Sequence, residues 1–286
     1  MTPVAPPFRI VAYATDAVIE PLIPYDQLTH INYAFLTPKV DGTFNTFVNG
    51  WKLKQIVQKA HAKNVKVLIS VGGWGWDEQF EAAAANPGSR AAFVQNLKAF
   101  VDKYQLDGAD IDWEYPNPGQ SSQNFLALIT ELRAAMPDKL LTTAVVAYGD
   151  EHGLGIPART FDLFDFVNVM TYSGQDHGTM KQFNKGIEYW NSRGLPRDKL
   201  VIGVPFYGEP DGVPFAKLVK DDPAAARMDS ISYAGKIQSY NGIPTIQKKT
   251  RIAMEKTGGI MFWALDHDAQ GELSLVNAIY QTVHEP

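Results

Sequence analysis

The chain has 286 residues, 45% of them hydrophobic and 20% charged, with a net charge of -5. That balance excludes a disordered chain and, with no basic cluster, a nucleic-acid partner. The absence of cysteine excludes disulfides and thiolate metal sites, and no run approaches the ~20 apolar residues of a membrane span, so no membrane partner is expected.

The Pro-rich start, residues 1–7, reads as a short arm, and no secretory leader is visible in it. Apolar runs rich in Val, Ile, Ala and Phe then predict eight strands: Arg9–Ala14, Ile31–Leu36, Lys66–Val71, Gly108–Glu114, Leu141–Ala147, Phe166–Tyr172, Leu200–Phe206 and Gly259–Leu265. Between them, apolar residues at helical spacing predict helices over Trp51–Lys63, Arg90–Tyr104, Ser121–Ala135, Met180–Arg193, Thr245–Lys256 and Gly271–Val283. The helix after the fifth strand reads as short or irregular. Eight β/α units in order predict an α/β fold, a closed (β/α)8 TIM barrel, as a single domain over 1–286 rather than an open doubly wound sheet. One connection, 207–243, is long and carries Pro210, Gly212, Pro214 and Pro223. Such a loop covers a site or contains small elements of its own.

The fourth strand carries the chemistry. It reads Asp107-Gly108-Ala109-Asp110-Ile111-Asp112-Trp113-Glu114-Tyr115. Strand side chains alternate faces, so Asp110, Asp112 and Glu114 share one face and Ala109, Ile111 and Trp113 the other. The apolar set suits the helix-facing side, which turns the carboxyls into the barrel and toward its C-terminal end, where sites of this fold sit. Three buried carboxyls cannot all ionise freely, and at least one holds its proton to higher pH. A raised carboxyl at the top of such a stack is what a general acid requires.

Asp107, Asp110, Asp112 and Glu114 match the D-x-x-D-x-D-x-E signature of glycoside hydrolase family 18. Ser70-Val71-Gly72-Gly73 matches S-x-G-G, Met170-Thr171-Tyr172 matches M-x-Y, and the segments 203–208 and 258–263 look like the family's seventh and eighth strands. The chain therefore resembles that family along essentially its whole length. The resemblance implies a chitinase that hydrolyses β-1,4 links between N-acetylglucosamine units with retention, the substrate's own acetamido carbonyl acting as nucleophile. It implies Glu114 as acid and then base, and Asp112 as holder of the acetamido N–H. Asp110 lies below and shares a proton with Asp112, and Tyr172 donates to the acetamido carbonyl. Tyr13 and Ser70 match positions bonded to the deeper aspartate, and Asp107 is structural. Trp263 resembles the floor under the reacting sugar, Trp74 and Tyr115 the leaving-group side, and Phe35, Met170, Ser173 and Tyr207 complete the expected substrate-binding set. No cofactor or metal is expected. The partner is chitin or N-acetylglucosamine oligosaccharides, the chain is expected to be a monomer, and its place is secreted or extracellular.

Two residues depart from the pattern: Ser173 stands where many members carry Asp, and Glu209 where many carry Arg. Ser173 and the compact region between the seventh and eighth strands leave open an endo-β-N-acetylglucosaminidase acting on N-glycan cores. A non-catalytic lectin on the same barrel would lack the acid. The connection 207–243 is short for the α+β insertion of processive members, which implies a shallower cleft. Gly153–Ala158 formally fits G-x-G-x-x-A, but Pro157 interrupts it. None of the six histidines has metal-ligand spacing, although Asp176-His177 and Asp266-His267-Asp268 fall where they could rim a cleft. No G-x-S-x-G elbow is present.

Overall fold

A computed structural model describes residues 7–285; the rest of the N-terminal arm lies outside them. Eight parallel strands close into a barrel: β1 (Arg9–Thr15), β2 (His30–Leu36), β3 (Lys66–Gly72), β4 (Gly108–Asp112), β5 (Leu140–Val146), β6 (Phe166–Met170), β7 (Leu200–Pro205) and β8 (Gly259–Trp263). Closure runs through the first and last of them, with Arg9 opposite Gly259 and Ala12 opposite Phe262. The strands are apolar on both sides because both sides are covered. Outward residues such as Ile69, Ile111, Val169 and Ile202 pack under the helices. Inward residues Val11, Tyr13, Ala144, Phe166, Met170, Val201 and Met261 fill the barrel.

The helices are α1 (Gly50–Ala62), α2 (Asp77–Ala85), α3 (Pro87–Lys103), α4 (Gln120–Ala135), α5 (Asp150–Gly153), α6 (Met180–Ser192), α7 (Phe215–Asp221), α8 (Ile243–Lys256) and α9 (Leu275–His284). Several differ from the sequence expectation. Between β1 and β2 the chain makes only two 3-10 turns. The Ala-rich α2 ends one residue before α3 begins, and Asn86 caps α3 through Gly88 N–H. The helix expected from Gly271 starts at Leu275, capped by Ser274. The strands expected to reach Glu114, Tyr172 and Leu265 stop at Asp112, Met170 and Trp263. Their last residues stand clear of the sheet on the rim. The long connection carries α7 and two small hairpins, Tyr207–Gly208 with Val213–Pro214 and Ser230–Tyr233 with Lys236–Ser239.

The ends of β3 and β4 approach closely. At Gly72, φ is +106° and an added Cβ would lie 2.4 Å from the Asp112 carbonyl oxygen; at Gly73, φ is +85° and a Cβ would lie 2.7 Å from the Phe35 ring. Only glycine meets both conditions, which gives the Gly-Gly pair a physical cause. Across from it, the pairing of β2 with β3 slips between Ala34 and Leu36. Phe35 is the extra residue. Strict alternation would turn it outward with Ile31 and Tyr33, and the slip aims it into the barrel mouth.

Candidate active site

The three carboxyls of the fourth strand sit in three environments. Asp110 is fully buried and accepts four hydrogen bonds: from Tyr13 Oη (2.8 Å) and Ser70 Oγ (2.8 Å) on one oxygen, and from Thr142 Oγ1 (2.6 Å) and Asn168 Nδ2 (3.3 Å) on the other. Burial pushes its pKa up, and these donors pull it back. Asp112, 3% exposed, has no such support. Its Oδ1 is buried without a hydrogen-bond partner among the described residues. Burial, then the charges of Glu114 and Asp110, hold its proton on well above the usual carboxylate range. Glu114, half-buried beyond the end of β4, is also raised, first by burial; the neighbouring Tyr115 hydroxyl acts in the opposite direction.

Above them lies a cavity of about 500 Å³ lined by Tyr13, Phe35, Trp74, Asp112, Glu114, Tyr115, Met170, Tyr172, Ser173, Tyr207 and Trp263. The expected substrate-binding residues meet there, with one exception: Ser70 lies beneath the cavity, on Asp110. Phe35 stacks on Trp263 (5.5 Å between centroids, 17° between planes), and Tyr13 packs against the same indole at 5.7 Å. On the opposite side Tyr115 meets Trp74 edge-on at 6.5 Å, and Trp74 is 79% exposed. Tyr172 reaches in from just beyond β6. Among the described residues its hydroxyl finds only the thioether of Met261, at 3.7 Å. Sulfur is a weak acceptor, so that hydroxyl remains free to serve a better one. Burial raises its pKa well above the ordinary phenol value, and it stays a donor through the neutral range. Ser173 Oγ and Tyr207 Oη are 2.6 Å apart.

Sequence reasoning missed Thr142, which faces Asp110 only through the register of β4 against β5. It also missed His152, which stacks under the Tyr115 ring at 4.9 Å and 25°. The acidic-histidine runs have structural tasks. Asp266 accepts from the Thr15 N–H and hydroxyl, and Asp268 caps α9 through Leu275 and Val276 N–H. Asp176 pairs with Lys181 at 2.9 Å. Asp107, at the opposite end of β4, accepts from Val67 N–H, Lys66 and His61.

A (β/α)8 barrel with a carboxylic acid at the end of its fourth strand, facing an aromatic-walled cleft, places the chain among the barrel glycosidases. The sequence model of Glycosyl hydrolases family 18 matches residues 9–268, and the chain belongs to that family. Chitinase 1 of Aphanocladium album is 25% identical over 91% of this chain and 80% of its own. A chitinase from the chitin utilization locus of Flavobacterium johnsoniae has the same fold, with a TM-score of 0.84 and 30% identity over 97% of this chain and 94% of its own. A Bacteroides thetaiotaomicron chitinase superposes with a TM-score of 0.87 at 29% identity, covering 98% of this chain and 97% of that one.

Proposed function

We propose that this glycoside hydrolase is a chitinase acting by substrate-assisted, retaining hydrolysis on N-acetylglucosamine polymers or oligomers, and that Glu114 is its acid. The observation that carries this reading is a matched pair of unused polar groups in one cavity. Asp112 Oδ1 is a buried acceptor without a donor, and Tyr172 Oη is a donor with only a sulfur acceptor. An acetamido group offers the complement of both, an N–H and a C=O. With its N–H on Asp112 and its oxygen polarised by Tyr172, that group is turned toward the anomeric carbon below the sugar plane. Proximity of this kind replaces a protein nucleophile. Glu114, holding its proton because burial raises its pKa, gives it to the leaving oxygen and then takes one from the incoming water. Asp110, fixed by four donors, supports Asp112 from below, and Trp263 offers its face to the apolar side of the ring.

Trp74 and Tyr115 line the leaving-group side. Residues 1–286 act as one catalytic domain, and a polymer too large to enter a cell places the work outside it. The lectin alternative is disfavoured because Glu114, Asp112 and Tyr172 all line the cavity. Release of an aryl group from an N-acetylchitobiose glycoside tests the reading. The native protein is expected to cleave it, and Glu114→Gln to lose at least ~100-fold in kcat while still binding the oligosaccharide. Unchanged turnover in the variant would refute the assignment of the acid.

A further inference from the structure

Lys249 on α8 is fully buried. Its Nζ donates to the Gly178 carbonyl and to Asn241 Oδ1, each at 2.7 Å, and it lies 5.2 Å from the centre of the Phe183 ring. Asn241 Nδ2 donates to the same Gly178 carbonyl at 2.9 Å. The acid that bears on its charge is Asp229, whose carboxylate is already occupied by Gly242 N–H and the Thr245 hydroxyl. A further titratable neighbour is His177, itself lowered by burial. Burial holds the Lys249 amine down to about 7. A buried amine without a carboxylate partner is a costly way to fill space, and an aliphatic side chain of the same length would fill it more cheaply.

What the lysine touches explains its presence. Gly178 ends the segment that begins at Tyr172; beside two main-chain turn bonds, from His177 N–H to the Gly174 carbonyl and from Thr179 N–H to the Asp176 carbonyl, side chains tie it to its surroundings. Gln182 donates to the carbonyls of Tyr172 (3.2 Å) and Ser173 (3.0 Å) and accepts from Gly178 N–H at 3.1 Å. His177 accepts from Ser173 N–H at 2.9 Å and, through its other nitrogen, donates to the Tyr207 carbonyl at 3.1 Å. Ser173 is held at a φ of +63°, unfavourable for a side chain with a Cβ. We infer that Lys249, together with Asn241, is a positioning residue for catalysis: by clamping the Gly178 carbonyl from behind, it fixes the segment 172–178 and thereby the aim of the Tyr172 hydroxyl. The inference rests on the assignment of Tyr172 to the acetamido carbonyl.

The test is a cycle of Lys249→Met, Tyr172→Phe and the double variant on an aryl N-acetylchitobioside. Misaim of one donor is expected to lower kcat about 10- to 100-fold in Lys249→Met, with KM within about twofold of native. The double variant should be no slower than Tyr172→Phe alone, because the lysine acts through the tyrosine. Asn241→Leu, run beside it, should reproduce the kcat loss and the non-additivity even if Lys249→Met does not fold. Native kcat in both positioning variants, or losses that multiply in the double variant, would overturn the inference and leave the Tyr172 assignment standing. A Tyr172→Phe variant as fast as native would instead remove that assignment, and the inference with it.

Discussion

Asp110, Asp112 and Glu114 lie within five residues of one another, yet their neighbours give them different surroundings. Four donors converge on Asp110. Asp110→Ala would leave those buried donors unpaired and is expected to cost at least about 3 kcal/mol in denaturant unfolding, where a loss below about 1 kcal/mol would contradict the role. Glu114 is an acid whose folded pKa is raised, so it keeps its proton as pH rises and loses it only above the usual carboxylate range. With Glu114 as the proposed acid, the alkaline limb of kcat/KM should report that loss. The Tyr115 hydroxyl favours the carboxylate form. Tyr115→Phe removes that influence, raises the pKa further, and should move the alkaline limb to higher pH; a limb that moves to lower pH would contradict the sign.

At the scale of elements, β4 has two sides with separate functions. Its outward Trp113, just past the strand, stacks on Phe80 of α2 at 5.1 Å and 6°, meets Phe125 of α4 at 5.9 Å, and donates to Asp77 at 2.7 Å. Trp113→Ala should cost about 3–5 kcal/mol of stability, read by the same unfolding experiment, while Trp113→Phe should cost less. The period-two reading of this strand was legible because acids and apolar residues alternate without a break. The same alternation applied to β6 puts Asn168, Met170 and Tyr172 on one face, and the structure agrees: Asn168 reaches Asp110, and the other two line the cavity. Strand ends were not legible, since Glu114 and Tyr172 continue the alternation after the ladder hydrogen bonds have stopped. Phe35 defeats alternation altogether, because a register slip is a property of two strands and leaves no mark on one. Helix α2 was hidden for a different reason: its apolar face is mostly alanine, and only Asn86 separates it from α3.

Across the whole molecule, the barrel brings residues from seven of its eight strands and their rims to one cavity, with β5 supplying Thr142 to Asp110, while α8 reaches the segment 172–178 from outside through Lys249. That lysine also leaves a thermodynamic trace. The unfolded chain keeps its proton to about pH 10.5, and the folded chain releases it near about 7. Between those values the unfolded state binds more protons, so the contribution of Lys249 to stability rises with pH. Relative to Lys249→Met, the native unfolding free energy should climb between about pH 7 and pH 9 by up to ~1.4 kcal/mol per unit. Parallel curves would show that the amine titrates normally.

In the proposed mechanism the nucleophile belongs to the substrate, and Asp112 and Tyr172 only aim it. The most direct measurement compares turnover of an aryl N-acetylchitobioside with that of its N-trifluoroacetyl analogue, whose carbonyl is a poorer nucleophile, on the native protein. A fall of at least about 100-fold in kcat is expected, with Glu114→Gln inactive on both. Equal rates on the two substrates would place the nucleophile in the protein and contradict it.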